Sequence, residues 1–282
     1  MNRSVSVALL VFAAIVTPSG CSSHRSSSNT ESSPEPALTT PTAAESEKAG
    51  ATSLSKRQVD QFLAPSCERI AQSIEQGNEG YREEQIRKAT QYFTPMFEPG
   101  QDGGLRGVDR KACINIEGSC IVGEWLYNYA GPSRPWGNRY DRSVVPFKFG
   151  KGSGQSQYNT MNALDPCRTL AADKNHYPSG TVVYIPSMKQ KKCPQTGKVV
   201  DGCFIVGDVG SAITGAKRFD IFTGECLNYS KRSNTCRDSL NREFVAPKET
   251  TYYVVNRDNN IAKELRQETD NFIRSNWRTV AD

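Results

Sequence analysis

Histidine is nearly absent from this chain, with only His24 and His176 among 282 residues. No Cys-x-x-Cys pair occurs either, so the ligand spacings of a structural zinc site are missing. No metal and no other cofactor is expected. Long apolar runs are also lacking. A membrane-spanning helix needs roughly 20 apolar residues, whereas the run at residues 5–16 has twelve, with Ser6 among them. Charge of one sign is not in large excess: 35 Lys and Arg stand against 30 Asp and Glu, a net charge of +5. That balance carries no nucleic-acid signature, but it suits an acidic polymer. The basic cluster Lys189-Gln190-Lys191-Lys192 reads as a solvated loop.

What is present is unevenly spread. A basic start at Asn2-Arg3, the short apolar run and Thr17-Pro18-Ser19-Gly20-Cys21 follow the order of a secretory signal. The Gly20-Cys21 step resembles the lipobox of bacterial lipoproteins, with Pro18 where leucine is usual. That resemblance implies a signal peptide at 1–20 and lipidation of Cys21. With Ser22 following, it also implies an anchor at the periplasmic face of the outer membrane. Residues 21–52 are Ser, Thr, Pro, Ala and Glu with almost no large apolar side chain. Such a segment buries too little surface to offset its ordering entropy and reads as a disordered tether.

Nine cysteines are present, and setting Cys21 aside leaves eight, enough for four disulfides in an oxidising envelope. Sequence alone leaves their connectivity open. Short loops favour Cys193–Cys203, Cys226–Cys236 and Cys113–Cys120, which leaves Cys67–Cys167. An even count also leaves no free thiol to pair with His176 as a nucleophile.

Helical spacing begins near residue 53 with Val59, Phe62, Leu63, Ile70 and Ile74, and Pro65 suggests a break or restart. A second helix is expected over residues 81–93, with Ile86, Ala89, Tyr92 and Phe93 on one side. Residues 53–100 are therefore read as a helical cap. Residues 101–282 carry dense β signals: 119–129, 181–185, 198–200, 203–208, 217–223 and 251–255, with a closing amphipathic helix from 260 to 277. In the first of these, Trp125, Tyr127 and Tyr129 alternate. They read as a core-facing row, with stacking on sugars as the alternative. Many short strands with irregular links suggest a small barrel, mainly β and α+β overall.

The chemistry centres on residues 180–224. Two strand-like runs end on or contain an aspartate, Asp208 and Asp220, joined by a loop of small residues with Gly210 and Gly215. A carboxylate beside a β-core is costly unless paired or used. Side chains alternate along residues 217–223, so if Phe219 and Ile221 face inward, Asp220 faces outward between Arg218 and Phe222. Partial desolvation there would raise its pKa, as a general acid requires. The Gly210-Ser211 turn would bring Asp208 and nearby amides close to a ligand.

The string DVGSAITGAKRFDIFTG, at residues 208–224, resembles the signature of the three-aspartate (3D) domain of membrane-bound lytic transglycosylase A and its relatives. Upstream, ADKNHYPSGTVVYIP resembles that family's first aspartate segment. The resemblance spans residues 172–224 and implies a double-psi β-barrel that cleaves the β-1,4 bond between N-acetylmuramic acid and N-acetylglucosamine, leaving a 1,6-anhydro product. It makes Asp220 the catalytic acid/base, and Asp208 and Asp173 supporting or substrate-binding groups. Lys217 and Arg218 would meet the lactyl or peptide carboxylates of the glycan strand, with solvated surface cations as the alternative. Two other readings stay open. One is a non-catalytic barrel that binds peptidoglycan. The other is a polysaccharide hydrolase using two aspartates.

Overall fold

The computed structural model describes residues 64–276, apart from 101–104, 110–112, 114–116, 134–136, 145–149, 153–161, 231, 234 and 238–243. The expected signal peptide, tether and Cys21 lie outside the described residues, as does the start of the expected cap at 53–63. The chain enters with helix α1 (Pro65–Glu75), then β1 (Tyr81–Gln85), β2 (Lys88–Phe97), β3 (Ser119–Val122), β4 (Trp125–Ser133) and β5 (Gly137–Val144). Short strands β6 (Gly150–Lys151), β7 (Ala163–Leu164), β8 (Thr169–Ala171) and β9 (Val182–Tyr184) follow. The remainder is β10 (Cys203–Asp208), β11 (Arg218–Cys226), β12 (Tyr229–Ser230), β13 (Thr235–Cys236), β14 (Thr251–Val255) and helix α2 (Asn260–Asn276). The protein is mainly β, in an α+β arrangement. No helix among the described residues is long and apolar enough to cross a membrane.

Ten strands share one mixed sheet in the order β1-β14-β9-β10-β8-β11-β2-β3-β4-β5. β1 and β2 are consecutive in sequence, yet they pair with strands four ladder steps apart, β14 and β11. The Ile86–Arg87 link bridges the two ends, since Ile86 N–H donates to Thr250 O (2.9 Å) and Arg87 N–H to Lys217 O (2.8 Å). On a flat sheet β11 and β14 would lie roughly 19 Å apart. The rings of Phe219 on β11 and Tyr252 on β14 are 5.1 Å apart instead. The sheet therefore closes on itself into a barrel, with Leu170, Val183, Phe204, Val206, Phe219, Ile221 and Tyr252 inside.

Strands β9 and β10 are buried on both faces, which is why their sequences read as largely apolar runs, and β14 is partly covered on both. Val182, Tyr184, Cys203, Ile205 and Val255 point outward against Ile70 of α1 and Leu265 of α2. The two helices are tied by Ser66 Oγ donating to Glu268 (2.6 Å) and by the Arg69–Glu264 ion pair. β2 runs beyond the barrel to pair with β3 through Met96 and Phe97. There a smaller core forms from Leu105, Cys113, Cys120, Val122 and Tyr127.

Several expectations are corrected. Residues 81–93 form β1 and most of β2, not a helix, so the expected helical cap reduces to α1 among the described residues. Their partners, Thr251–Val255 and Arg218–Cys226, lie far along the chain, and pairing with them outweighs local helical spacing. Thr90, Tyr92 and Thr94 did carry the competing period-2 signal. Pro65 opens α1 at its first position, where its missing N–H is one the first turn leaves unpaired anyway. The run 119–129 is a hairpin: Val122 pairs with Trp125 around Gly123, whose φ of +58° suits a two-residue turn.

The disulfides are Cys67–Cys203, Cys113–Cys120, Cys167–Cys193 and Cys226–Cys236. Cys193–Cys203 and Cys67–Cys167, expected from loop length, do not form. Cys203 sits on the outer face of the barrel wall with Cys67 of α1, while Cys167 and Cys193 belong to the interior cluster. Alternation along β10 turns Cys203 outward, while Cys193, in the loop before it, packs into the interior cluster, so the two lie on opposite sides of the wall. Beside this bridge lies a buried ionic group. Arg168 grips Asp201 with two hydrogen bonds (2.7 and 2.5 Å), and Lys198 Nζ lies 3.4 Å from Asp165. Asp201 also accepts from the amides of Ala64 (3.2 Å) and Cys203 (3.1 Å), so it serves as the missing cap of α1.

Candidate active site

The site is built where β2, β11, β8 and β10 run side by side. β2 and β11 are parallel, and their register sets Lys88 against Arg218, Thr90 against Asp220, and Tyr92 against Phe222. Phe219 and Ile221 are fully buried in the barrel, while Asp220 between them is only partly buried on the other face. Asp220 and Asp208 are both paired to Ala171 of β8, one from each side. Two strand spacings, roughly 9.5 Å, therefore separate their backbones. A register shift between Val206 and Asp208 re-aims the end of β10.

Each carboxylate has a distinct environment. Burial is the largest influence on Asp220, and the charge of Asp208 adds to it. Together they outweigh the Thr90 hydrogen bond and the charges of Arg218 and Lys88, so its pKa rises from 3.8 to about 6. One of its oxygens, Oδ1, is buried without a hydrogen-bond partner. Asp208 accepts from the Tyr92 hydroxyl (3.0 Å) and from the Val209 amide (2.8 Å). The Tyr92 ring leans on buried Phe222 with centroids 5.3 Å apart. Burial and the neighbouring Asp208 push the Tyr92 hydroxyl well above its ordinary pKa, so it remains a donor.

Asp173 plays a different part in the geometry. It accepts from the Gly215 amide (2.7 Å) and the Asn175 amide (2.9 Å). Those two amides hold its pKa below the ordinary value. Asp173 is thus fastened to the loop between β10 and β11. The same loop is gripped by Arg87, which donates to Thr214 O (3.1 Å). Within it, Ser211 is exposed, and Gly210 lies so close to buried Ile213 that a Cβ would approach Ile213 Cγ1 to 2.9 Å. Lys217 ends the loop in the left-handed region at φ +66° with an exposed side chain. Arg218 is half-buried beside Asp220, and its Nε has no partner.

Residues 168–233 match the 3D domain family. The match covers 66 of the chain's 282 residues. Among solved structures, the chain is similar to MltA of E. coli with bound chitohexaose, at 13% identity and a TM-score of 0.39, covering 67% of this chain and 81% of that one. It is also similar to the membrane-bound lytic murein transglycosylase of Agrobacterium tumefaciens, at 15% identity and 0.34, covering 66% and 76%. The lytic transglycosylase LtgG of Burkholderia pseudomallei aligns at 14% identity and 0.30, covering 64% and 73%. No curated protein matches the chain.

Within the 3D domain, Asp208 and Asp220 come together, while Asp173 is tied to the loop between their strands. Thr90, Tyr92 and Lys88 face them from β2 through a parallel pairing that the helical spacing of residues 81–93 conceals in the sequence. Outside the domain match, the aromatic row of β4 passes from core to solvent: Tyr127 is buried, Trp125 half-buried under Arg142, and Tyr129 exposed opposite Tyr140. Among the described residues, Cys67, Asp201 and Cys203 come within metal-binding reach of one another, but the two sulfurs are joined in a disulfide. A thiolate pair for a metal is therefore not available there.

Proposed function

We propose that the protein is a peptidoglycan lytic transglycosylase of the bacterial envelope, anchored by Cys21 at the periplasmic face of the outer membrane, with Asp220 as its general acid and base. The observation that carries this reading is the Asp220 carboxyl, poised at about 6 inside a matched 3D domain and partly open to ligand. Protonated Asp220 donates to the glycosidic oxygen as the C1–O bond breaks and positive charge develops at the ring. The resulting carboxylate takes the proton of the sugar's C6 hydroxyl as O6 attacks C1. Both protons are accounted for, and the product ring is 1,6-anhydro without consuming water.

Burial, with the charge of Asp208 adding to it, raises the share of Asp220 that carries a proton when substrate arrives, and Tyr92 and the Val209 amide hold Asp208 in place. Asp173 supports the site through the loop, and Lys217 and Arg218 stand where they would meet acidic groups of the glycan strand. A second carboxylate across Ala171 favours hydrolysis as the alternative. The test is incubation of the purified protein with isolated sacculi and mass spectrometry of soluble products. Anhydro-muropeptides from wild type and none from Asp220→Asn are expected. Products with normal reducing ends would establish hydrolysis instead. Binding without release would make the protein a peptidoglycan-binding barrel.

A further inference from the structure

The barrel interior contains a chain of hydroxyls leading to the base of β11. Tyr252 donates to Glu84 Oε2 (2.5 Å), the Tyr177 and Tyr252 hydroxyls lie 2.8 Å apart, and the Lys217 amide donates to the Tyr177 oxygen (2.9 Å). Glu84 can only accept, so Tyr252 gives its proton to Glu84 and accepts from Tyr177, which in turn accepts from Lys217. Every bond points the same way, from the amide to the carboxylate, and such chains polarise cooperatively. Both tyrosines are almost fully buried. Their rings flank Phe219, at centroid distances of 5.2 and 5.1 Å, and Phe219 immediately precedes Asp220.

We propose that Tyr177, backed by Tyr252 and Glu84, is a positioning residue for Asp220. Lys217 holds a left-handed φ of +66°, which a non-glycine residue keeps only when its surroundings impose it. The Tyr177 hydroxyl supplies that constraint from inside the barrel. The Lys217 carbonyl carries it outward by accepting from Arg87 (2.8 Å) and Lys88 (3.2 Å) at the start of β2. The one residue therefore locks β11 to β2 at the point that sets Asp220 against Thr90. The inference rests on the catalytic reading of Asp220 for its effect on rate, but the constraint on Lys217 does not.

The test uses the full chain with Tyr177→Phe and, as a second variant, Tyr252→Phe, each of which keeps the ring packing and removes a hydroxyl. Misplacing a catalytic group by about 1 Å can lose rate on the order of 100-fold. We expect kcat to fall between about 10- and 100-fold with KM unchanged, and Lys217 amide exchange to accelerate. On a Lys217→Gly background, where φ +66° needs no support, Tyr177→Phe should cost less than it does alone. Tyr253→Phe, on the outer side of the same strand, should leave all readouts unchanged. Wild-type kcat and Lys217 exchange in both tyrosine variants would overturn the proposal. If wild-type protein releases no anhydro product, the functional reading fails, and the relay is judged on the NMR titration of Asp220 instead. A changed titration in Tyr177→Phe supports it, and an unchanged one overturns it.

Discussion

Replacing Asp220 by asparagine should stabilise the protein while abolishing product release. An aspartate whose folded pKa lies above its unfolded value favours the folded state at low pH. That contribution is fully present below the unfolded pKa of 3.8 and is lost as pH rises through about 6. At about 1.4 kcal/mol per pH unit, the interval between 3.8 and about 6 amounts to about 3 kcal/mol. Above pH 7, ionised Asp220 therefore burdens the fold by up to that amount. Asparagine does not titrate and escapes the burden, less whatever its amide loses by imperfect bonding at the buried Oδ1 position. Urea denaturation of both proteins at pH 8 and pH 4.5 measures the effect. The variant should be more stable at pH 8 by about 2–3 kcal/mol, with the gap mostly closed at pH 4.5. A difference that is the same at both pH values, or of opposite sign at pH 8, would refute the claim that desolvation holds Asp220 near 6. It would also remove the main physical reason for assigning it the acid role.

Asp208→Asn removes a repulsive charge whose backbone lies two strand spacings away. At an effective dielectric of ~20 this is worth about 1–2 kcal/mol, so the alkaline limb of the pH–rate profile, where Asp220 loses its proton, should move down by about one pH unit. Burial remains the larger influence, so the limb should stay above that of a free aspartate. Asp201→Ala strands buried Arg168 without its partner and should cost about 3–5 kcal/mol in urea denaturation. Replacing Cys67 and Cys203 together by serine frees α1 from the barrel and should cost about 2–4 kcal/mol. A non-reduced digest of wild type should yield the Cys67–Cys203 peptide pair, and recovery of Cys193 joined to Cys203 would contradict the fold.

How much of this was legible in the sequence depended on the range of the interaction. Phe219-Asp220-Ile221 announced its own alternation, because neighbouring side chains on a strand point to opposite faces whatever lies beyond them. The loop glycines marked a tight connection in the same local way. Tyr92 and Thr90 could not be read as site residues, since their relation to Asp220 exists only through a parallel pairing between segments far apart in sequence. Helical spacing in residues 81–93 was a local preference that this pairing overrode.

The sequence by itself determined that short strands and an even set of cysteines would make a mainly β protein, and that Asp208 and Asp220 would lie near each other on successive strands. Only the tertiary structure decided how far Asp220 is desolvated, what holds Asp208, and that Asp173 braces a loop. It also decided that Cys203 pairs with the helix rather than with its near neighbour in sequence. The physical reason is the same throughout. Alternation and turn chemistry are properties of a few adjacent residues, whereas burial, charge coupling and disulfide reach depend on which face of the closed barrel each side chain is given.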